Sequence, residues 1–225
     1  MRAPISVVVP TLNAEAALPG LLASLMEGVE AGLIRDLILS DGGSTDGTRA
    51  IAQAAGADIL TGDPSRGGQL RRGCDAAQGV WLLILHADSR LPPGWSLQAE
   101  YLLDRPGAYY GWLRFDSVGF APRVVAGWAN LRSRLFGLPF GDQGLLMPTA
   151  LYRDCGGYRD MPLMEDIAMA RALRGHLRPM GIEVLTSADR YRRDGWIRRG
   201  AGNLLRQVRY GLGTAPARLR KDYDA

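Results

Sequence analysis

The chain has few of the residues that would announce a metal, redox or secreted framework. Of its 225 residues, two are cysteine, two are histidine and one, Lys221, is lysine. Cys74 and Cys155 stand alone, without the spacing of a zinc site or a dithiol pair, which fits a reduced, cytosolic chain. Long apolar runs are also missing. The longest, Val80–Leu85, falls far short of the roughly 18 residues a membrane span needs, so no transmembrane anchor is expected. No signal-peptide pattern precedes the first apolar run, Ile5–Val9. Repeats, low-complexity tracts and linkers are absent too. Nearly all the basic charge is arginine, and it is unevenly placed: residues 1–189 carry 17 basic and 20 acidic side chains, residues 190–225 ten and three. The net charge of +4 therefore belongs to a basic tail on a slightly acidic body, and no nucleic-acid-binding motif accompanies it.

The content is that of a globular protein, 47% hydrophobic and 22% charged, and the length suits one α/β domain with an appendage. Apolar periodicity predicts strands at Ile5–Val9, Leu33–Ser40, Asp58–Thr61 and Val80–Leu85. Helices are predicted at Ala16–Met26, from Asp46 to Ala55 with Ser44 or Thr45 as cap, and at Arg66–Ala77. Strands separated by helices imply right-handed crossovers and a mostly parallel twisted sheet flanked by helices. The second half is less regular. A half-exposed strand is expected at Tyr109–Phe115, a helix at Val124–Phe136, a short strand at Gly144–Met147, a helix at Glu165–Arg174 and a strand at Ile182–Leu185. The change of charge near residues 187–193 divides the chain into a domain at 1–189 and a basic helical extension at 190–225.

Open parallel sheets bind ligands beyond the carboxyl ends of their strands, and the polar clusters of this chain fall there. The first strand runs into Pro10-Thr11-Leu12-Asn13, the second into Asp41-Gly42-Gly43-Ser44-Thr45-Asp46, the fourth into His86-Ala87-Asp88. Together they outline a cleft of carboxylates, amides and helix starts. Each has a plainer reading: Asp41 as a turn residue before two glycines, Asp88 as a cap, His86 as a packed side chain.

These segments, in this order and followed by Glu165-Asp166, resemble the motifs of the family-2 glycosyltransferases, over about residues 4–185. Phe140-Gly141-Asp142-Gln143-Gly144 and Pro162-Leu163-Met164-Glu165-Asp166, with the basic tail, resemble a small bacterial branch of that family. The resemblance implies the GT-A fold and an inverting transfer of a sugar from a nucleotide-diphosphate sugar, UDP-sugar by analogy, to an acceptor hydroxyl. It places the nucleotide sugar against Pro10, Thr11, Asn13, Glu15, Asp41, Arg66 and Ala87, with Asp41 accepting from the base. Asp88, with His86 in place of the motif's first aspartate, is implied to hold a divalent metal, Mn²⁺ or Mg²⁺, on the diphosphate. Asp166 is implied as the catalytic base, with Glu165 its positioning partner. Adjacent helical residues diverge by about 100°, so one of the two faces the anomeric carbon. Acidic residues opening a helix are also favoured by its dipole. Gly42 stands where many relatives have a second aspartate, and the Gln-x-x-Arg-Trp of polymer-forming members is missing.

Arg66 reaches either the diphosphate or solvent, with Gly67 and Gly68 permitting close approach. Asp142 and Gln143 sit in a glycine-flanked loop, placed for the donor sugar or acceptor or simply for a turn. Trp112, Trp128 and Trp196 are candidates for sugar stacking or for packing. In the tail, Ile197, Ala201, Leu204, Leu205, Val208 and Leu212 form an apolar stripe with arginines off it. Such a stripe docks on its own domain or a second copy (a homodimer), or rests on an anionic inner-membrane surface, which suits a lipid-linked acceptor as well as a small molecule would suit a free site. Arg192 and Arg193 are placed to close over the diphosphate. The competing enzyme is a sugar nucleotidyltransferase, against which Leu12-Asn13-Ala14-Glu15 stands in place of a glycine-rich basic loop. The competing non-enzyme is a nucleotide-sugar-binding subunit.

Overall fold

The computed structural model describes residues 3–224, with side chains to residue 220. The predicted spans therefore extend at both ends slightly beyond the described residues. The first half alternates as the periodicity predicts: β1 Ile5–Thr11, α1 Leu18–Glu30, β2 Ile34–Asp41, α2 Thr48–Ala54, β3 Asp58–Thr61, α3 Arg66–Ala76 and β4 Trp81–Ile84. The second half adds β5 Ser89–Arg90, α4 Trp95–Leu103, β6 Ala108–Phe115, α5 Phe120–Phe136, β7 Leu145–Pro148, α6 Thr149–Asp154, α7 Glu165–Ala172 and β8 Leu177–Thr186. The tail holds α8 Asp189–Asp194, α9 Trp196–Gly211 and α10 Pro216–Asp224. A 3₁₀ turn, Gly141–Gln143, precedes β7.

One eight-stranded sheet runs β3-β2-β1-β4-β7-β6-β8-β5. Four of its seven pairings are parallel, and the antiparallel ones involve β7 or β5. Successive residues of β1 point to opposite faces, and both faces are covered. Val7 and Val9 join α1 and α4 through Leu18, Leu21, Leu25, Trp95 and Leu102. Val8 joins α3, α6 and α7 through Leu70, Tyr152, Met169 and Leu173. Each fully buried Val or Leu contributes about 1.5–3 kcal/mol, so these two cores hold the layers together. Gly28 of α1 lies against the Trp95 ring, where a Cβ would stand 2.5 Å from it.

Several local expectations are corrected. The start of α2 is held neither by Ser44 nor by Thr45, but by Asp46, whose carboxylate accepts from the Thr48 backbone N–H at 3.0 Å. β6 is not half-exposed: Ala108, Tyr109, Tyr110, Leu113 and Phe115 are all buried. The reason is that β6 is an interior strand between β7 and β8, with α5 covering its far end. α4 and α6 form where the sequence signalled nothing periodic. No described helix is long and apolar enough to cross a membrane.

The tail packs on the sheet domain at both ends. Phe115 meets Tyr191 and Trp196 edge-on, and Leu219 of α10 is fully buried with Leu163, Met164 and Ile167. The apolar stripe of α9 does not dock on the domain as expected. Ile197 is 86% and Leu212 83% exposed, because α9 turns its polar side inward.

Candidate active site

The order of the sheet sets the place of the site. β1 has β2 on one side and β4 on the other, so the loops leaving β1 and β4 part in opposite directions and open a crevice at their carboxyl ends.

On the β2 side, residues 11–15 and 41–48 are tied by reciprocal hydrogen bonds. The Asn13 side-chain oxygen accepts from the Thr45 N–H at 2.9 Å, and Ser44 Oγ accepts from the Asn13 N–H at 2.8 Å. Glu15 accepts from the Gly47 N–H at 2.9 Å, and its own N–H donates to Asp46 at 3.1 Å. Asn13 takes a left-handed conformation, φ 51°, which a short amide tolerates. At the centre lies Asp41, 1% exposed. Its two oxygens receive Thr11 Oγ1, Ser44 Oγ, the backbone N–H groups of Gly43 and Ser44, and Arg49 Nε. Burial raises the Asp41 pKa, but these hydrogen bonds outweigh it and hold the carboxyl below the usual range.

On the β4 side a cavity of about 140 Å³ is lined by Arg66, His86, Asp88, Asp142, Glu165 and Asp166. Its roof is Arg190 and Tyr191 of α8 and Arg199, Asn203, Arg206 and Gln207 of α9. Four connections assemble it. Gly67 at the start of α3 donates to Met161 O at 3.0 Å, and Ser65 Oγ bonds Asp160 at 2.5 Å, which brings the loop before α7 onto α3. Arg66 Nε then lies 3.5 Å from Glu165 Oε1. The Gly141 N–H donates to Asp166 Oδ2 at 3.3 Å, joining the 3₁₀ turn to α7. Met164, just before the two acids, is held left-handed at φ 70°, a strain of about 1–3 kcal/mol that the packing around Leu219 sustains.

The cavity is electrostatically unusual. Burial and the negative charge of Asp166 push the Glu165 carboxyl up to about 7, with Arg66 opposing. Burial pushes Asp142 up to about 6, with Arg132 opposing. Glu165 Oε2 and Asp142 Oδ1 are buried without a hydrogen-bond partner. Buried polar atoms are nearly always paired, so these two oxygens are acceptors held in readiness. Burial, together with the cations Arg66 and Arg190, keeps the His86 imidazole neutral, its pKa well below the ordinary histidine value. Strongly shifted groups gathered in a cleft mark functional sites.

The sequence profile of "Glycosyl transferase family 2" matches residues 6–155, the stretch that holds both loop groups up to α6. The chain belongs to glycosyl transferase family 2. A PGL/p-HBAD biosynthesis glycosyltransferase of Mycobacterium bovis is 39% identical over 99 residues, covering 40% of this chain and 38% of that protein. Among solved structures, residues 1–349 of S. aureus TarS in complex with UDP-GlcNAc superpose at a TM-score of 0.62 with 15% identity, over 82% of this chain and 58% of that one. Glucosyl-3-phosphoglycerate synthase from Mycobacterium tuberculosis, in complex with Mn²⁺, UDP and phosphoglyceric acid, superposes at 0.50 with 25% identity, over 66% of this chain and 56% of that one. These likenesses accord with the GT-A fold. This chain spans well under two thirds of these relatives' length.

In this family-2 chain the structure brings six of the predicted site residues to one cavity and leaves the others elsewhere. Thr11, Asn13, Glu15 and Asp41 sit in the β1–β2 loop cluster, outside the lining of the cavity. Pro10 is a paired residue of β1, and Ala87 packs against the α1–α4 core. Gln143 departs furthest from its expected place at the sugar. It has no exposed surface, and its amide bonds Ser133 Oγ at 2.7 Å and Gly111 O at 3.0 Å, which fixes the 3₁₀ turn against β6. Gly67 and Gly68 give room to the chain's own residues 159–161. Arg192 pairs with Asp116 and Asp189, and Arg193 with Asp194, whereas Arg190, one turn earlier, lines the cavity. Of the tryptophans, Trp112 meets Tyr110 edge-on, Trp128 faces solvent and Trp196 stacks on Tyr191 beside the cavity. The roof residues of α8 and α9 gave no sequence signal beyond their positive charge.

Proposed function

We propose that this chain transfers a sugar from a nucleotide-diphosphate sugar, UDP-sugar in the first instance, to an acceptor hydroxyl by a single displacement with inversion. The observation that carries the reading is the meeting of Asp88 at the end of β4 with Glu165 and Asp166 at the start of α7 in one cavity bearing Arg66. The nucleotide lies along the β1–β2 loops, where Thr11 and Asn13 border the base and Asp41 takes a base N–H by exchanging one of its internal donors. Arg66 meets the diphosphate. The two unpaired oxygens of Asp142 and Glu165 take sugar hydroxyls, which are hydrogen-bond donors. Asp166 has its carboxylate at the cavity wall and removes the acceptor proton as the hydroxyl attacks.

The residues present fit a divalent cation. Asp88 makes no hydrogen bond or ion pair with another described residue, and beside it stands a neutral imidazole. No three carboxylates or imidazoles among the described residues are grouped to cage a metal. Mg²⁺ and Mn²⁺ bind through one or two protein ligands and complete their shells with phosphate and water. Asp88 and His86 would hold such an ion, and when bound it would neutralise charge on the departing nucleoside diphosphate. The synthase structure named above carries Mn²⁺ and UDP, which supports the reading. The donor domain is 1–189, and α8 and α9 of the following segment roof its cavity.

The test is nucleotide-sugar binding and turnover. Thermal shift with UDP-sugars should give stabilisation that depends on Mn²⁺ or Mg²⁺, because a ligand bound only by the native state raises its stability. Turnover should release nucleoside diphosphate. Release of pyrophosphate would assign the chain to the nucleotidyltransferases, and binding without turnover across a broad acceptor panel would make it a binding subunit.

A further inference from the structure

α9 is an amphipathic helix set on the protein with its polar side inward. At about 100° per residue, Arg199, Asn203 and Arg206 share one face, and that face roofs the cavity. Ile197, Leu205 and Leu212 lie on the opposite side and face solvent, 86%, 58% and 83% exposed. α5 repeats the arrangement. Ala129 and Ser133 are buried against β6 and the 3₁₀ turn, while Phe120, Trp128 and Leu135, eight and seven residues apart, stand in solvent. The two helices are neighbours, with Val125 of α5 opposite Gly200 of α9. Soluble chains rarely leave two adjacent apolar stripes uncovered.

The charge around the stripes selects the occupant. α5 and α9 carry no aspartate or glutamate, and while Arg132, Arg199 and Arg206 turn inward, Arg123, Arg134 and Arg198 are exposed. A second copy docked face to face would set these arginines against their own counterparts. An anionic lipid surface would take the apolar side chains among its acyl chains and the guanidinium groups among its headgroups. We propose that the α5–α9 face docks on an anionic membrane. The cavity then lies one helix diameter, roughly 10–12 Å, behind the docked face, which brings a lipid-borne acceptor to the same side of the protein. The docking itself does not depend on the sugar-transfer reading.

The full chain is floated with vesicles of phosphatidylcholine alone and of phosphatidylcholine with 30% phosphatidylglycerol. Binding is expected to the anionic vesicles, at least tenfold weaker on the neutral ones, and to fall in high salt. A variant with Trp128→Ser and Leu205→Ser, both surface positions, should lose binding tenfold or more while keeping its melting temperature. A second variant, Arg123→Glu with Arg198→Glu, should lose it while the apolar stripes stay intact. Absence of binding to either vesicle overturns the proposal. So does binding by either variant that matches the wild type, or a solution dimer of the wild type that the serine pair dissolves, since a second copy would then own the face.

Discussion

Asp166 and Glu165 are neighbours in sequence yet chemically unlike. Glu165 is almost wholly buried and shares its charge with Arg66, whereas Asp166 borders the open cavity. Asp166→Asn should lower turnover by about 10²–10⁴-fold, the usual contribution of a general base, with UDP binding unchanged by calorimetry. Glu165 has a measurable signature of its own. A carboxyl raised to about 7 when folded gives stability that is full below the unfolded carboxylate value and is lost as pH rises through 7. Relative to wild type, Glu165→Gln should therefore gain on the order of 2 kcal/mol between pH 5 and pH 8, read as a widening difference in denaturant midpoint. Gly141 offers a third test. A Cβ there would lie 2.2 Å from His86 Nε2, so Gly141→Ala should displace the imidazole, cost about 1–3 kcal/mol and weaken any metal-dependent donor binding. The acidic residues of the cavity were legible in the sequence because they end strands or open a helix. The burial that separates Glu165 from Asp166, and leaves Asp142 with an unpaired oxygen, depends on contacts from residues 66 and 132 and had no local pattern.

At the scale of elements, the sheet was readable wherever buried strands alternate with amphipathic helices, from β1 to β4. It became obscure beyond β4, where the chain returns antiparallel and long-range packing decides. β6 shows the reason. Its alternation looks like that of a strand with one wet face, but the cores on the two sides of the sheet take Ala108 and Tyr109, and α5 with the tail covers Leu113 and Phe115. In the tail the stripe does not pack on the chain's own domain; the face of α9 that does is polar, because it meets a cavity rather than a core. α10 is the element that fastens the roof. Leu219 has no exposed surface, and Leu219→Ala, at the scale of 2–5 kcal/mol for a buried leucine, should free the tail locally. The expected readout is faster proteolysis after residue 190 and a higher KM for the donor, with the melting of the sheet domain nearly unchanged.

The whole molecule is a sheet domain with a helical strap across its cavity. Removing divalent metal with a chelator should abolish donor-dependent stabilisation and leave the melting temperature of the unliganded chain in place, because the fold rests on the two apolar cores rather than on the cation. The strap has a kinetic corollary. A cavity of about 140 Å³ is smaller than the roughly 300–1,000 Å³ that ligand sites usually offer. With the nucleotide along the β1–β2 loops, only the diphosphate-sugar end has to enter beneath Arg199, Asn203 and Arg206 of α9, and a shift of that roof would widen the way in. Passage beneath the roof is expected to set the pace of turnover, in which case thickening the solvent with sucrose should slow steady-state cycling while sparing the rate of a single enzyme-bound transfer.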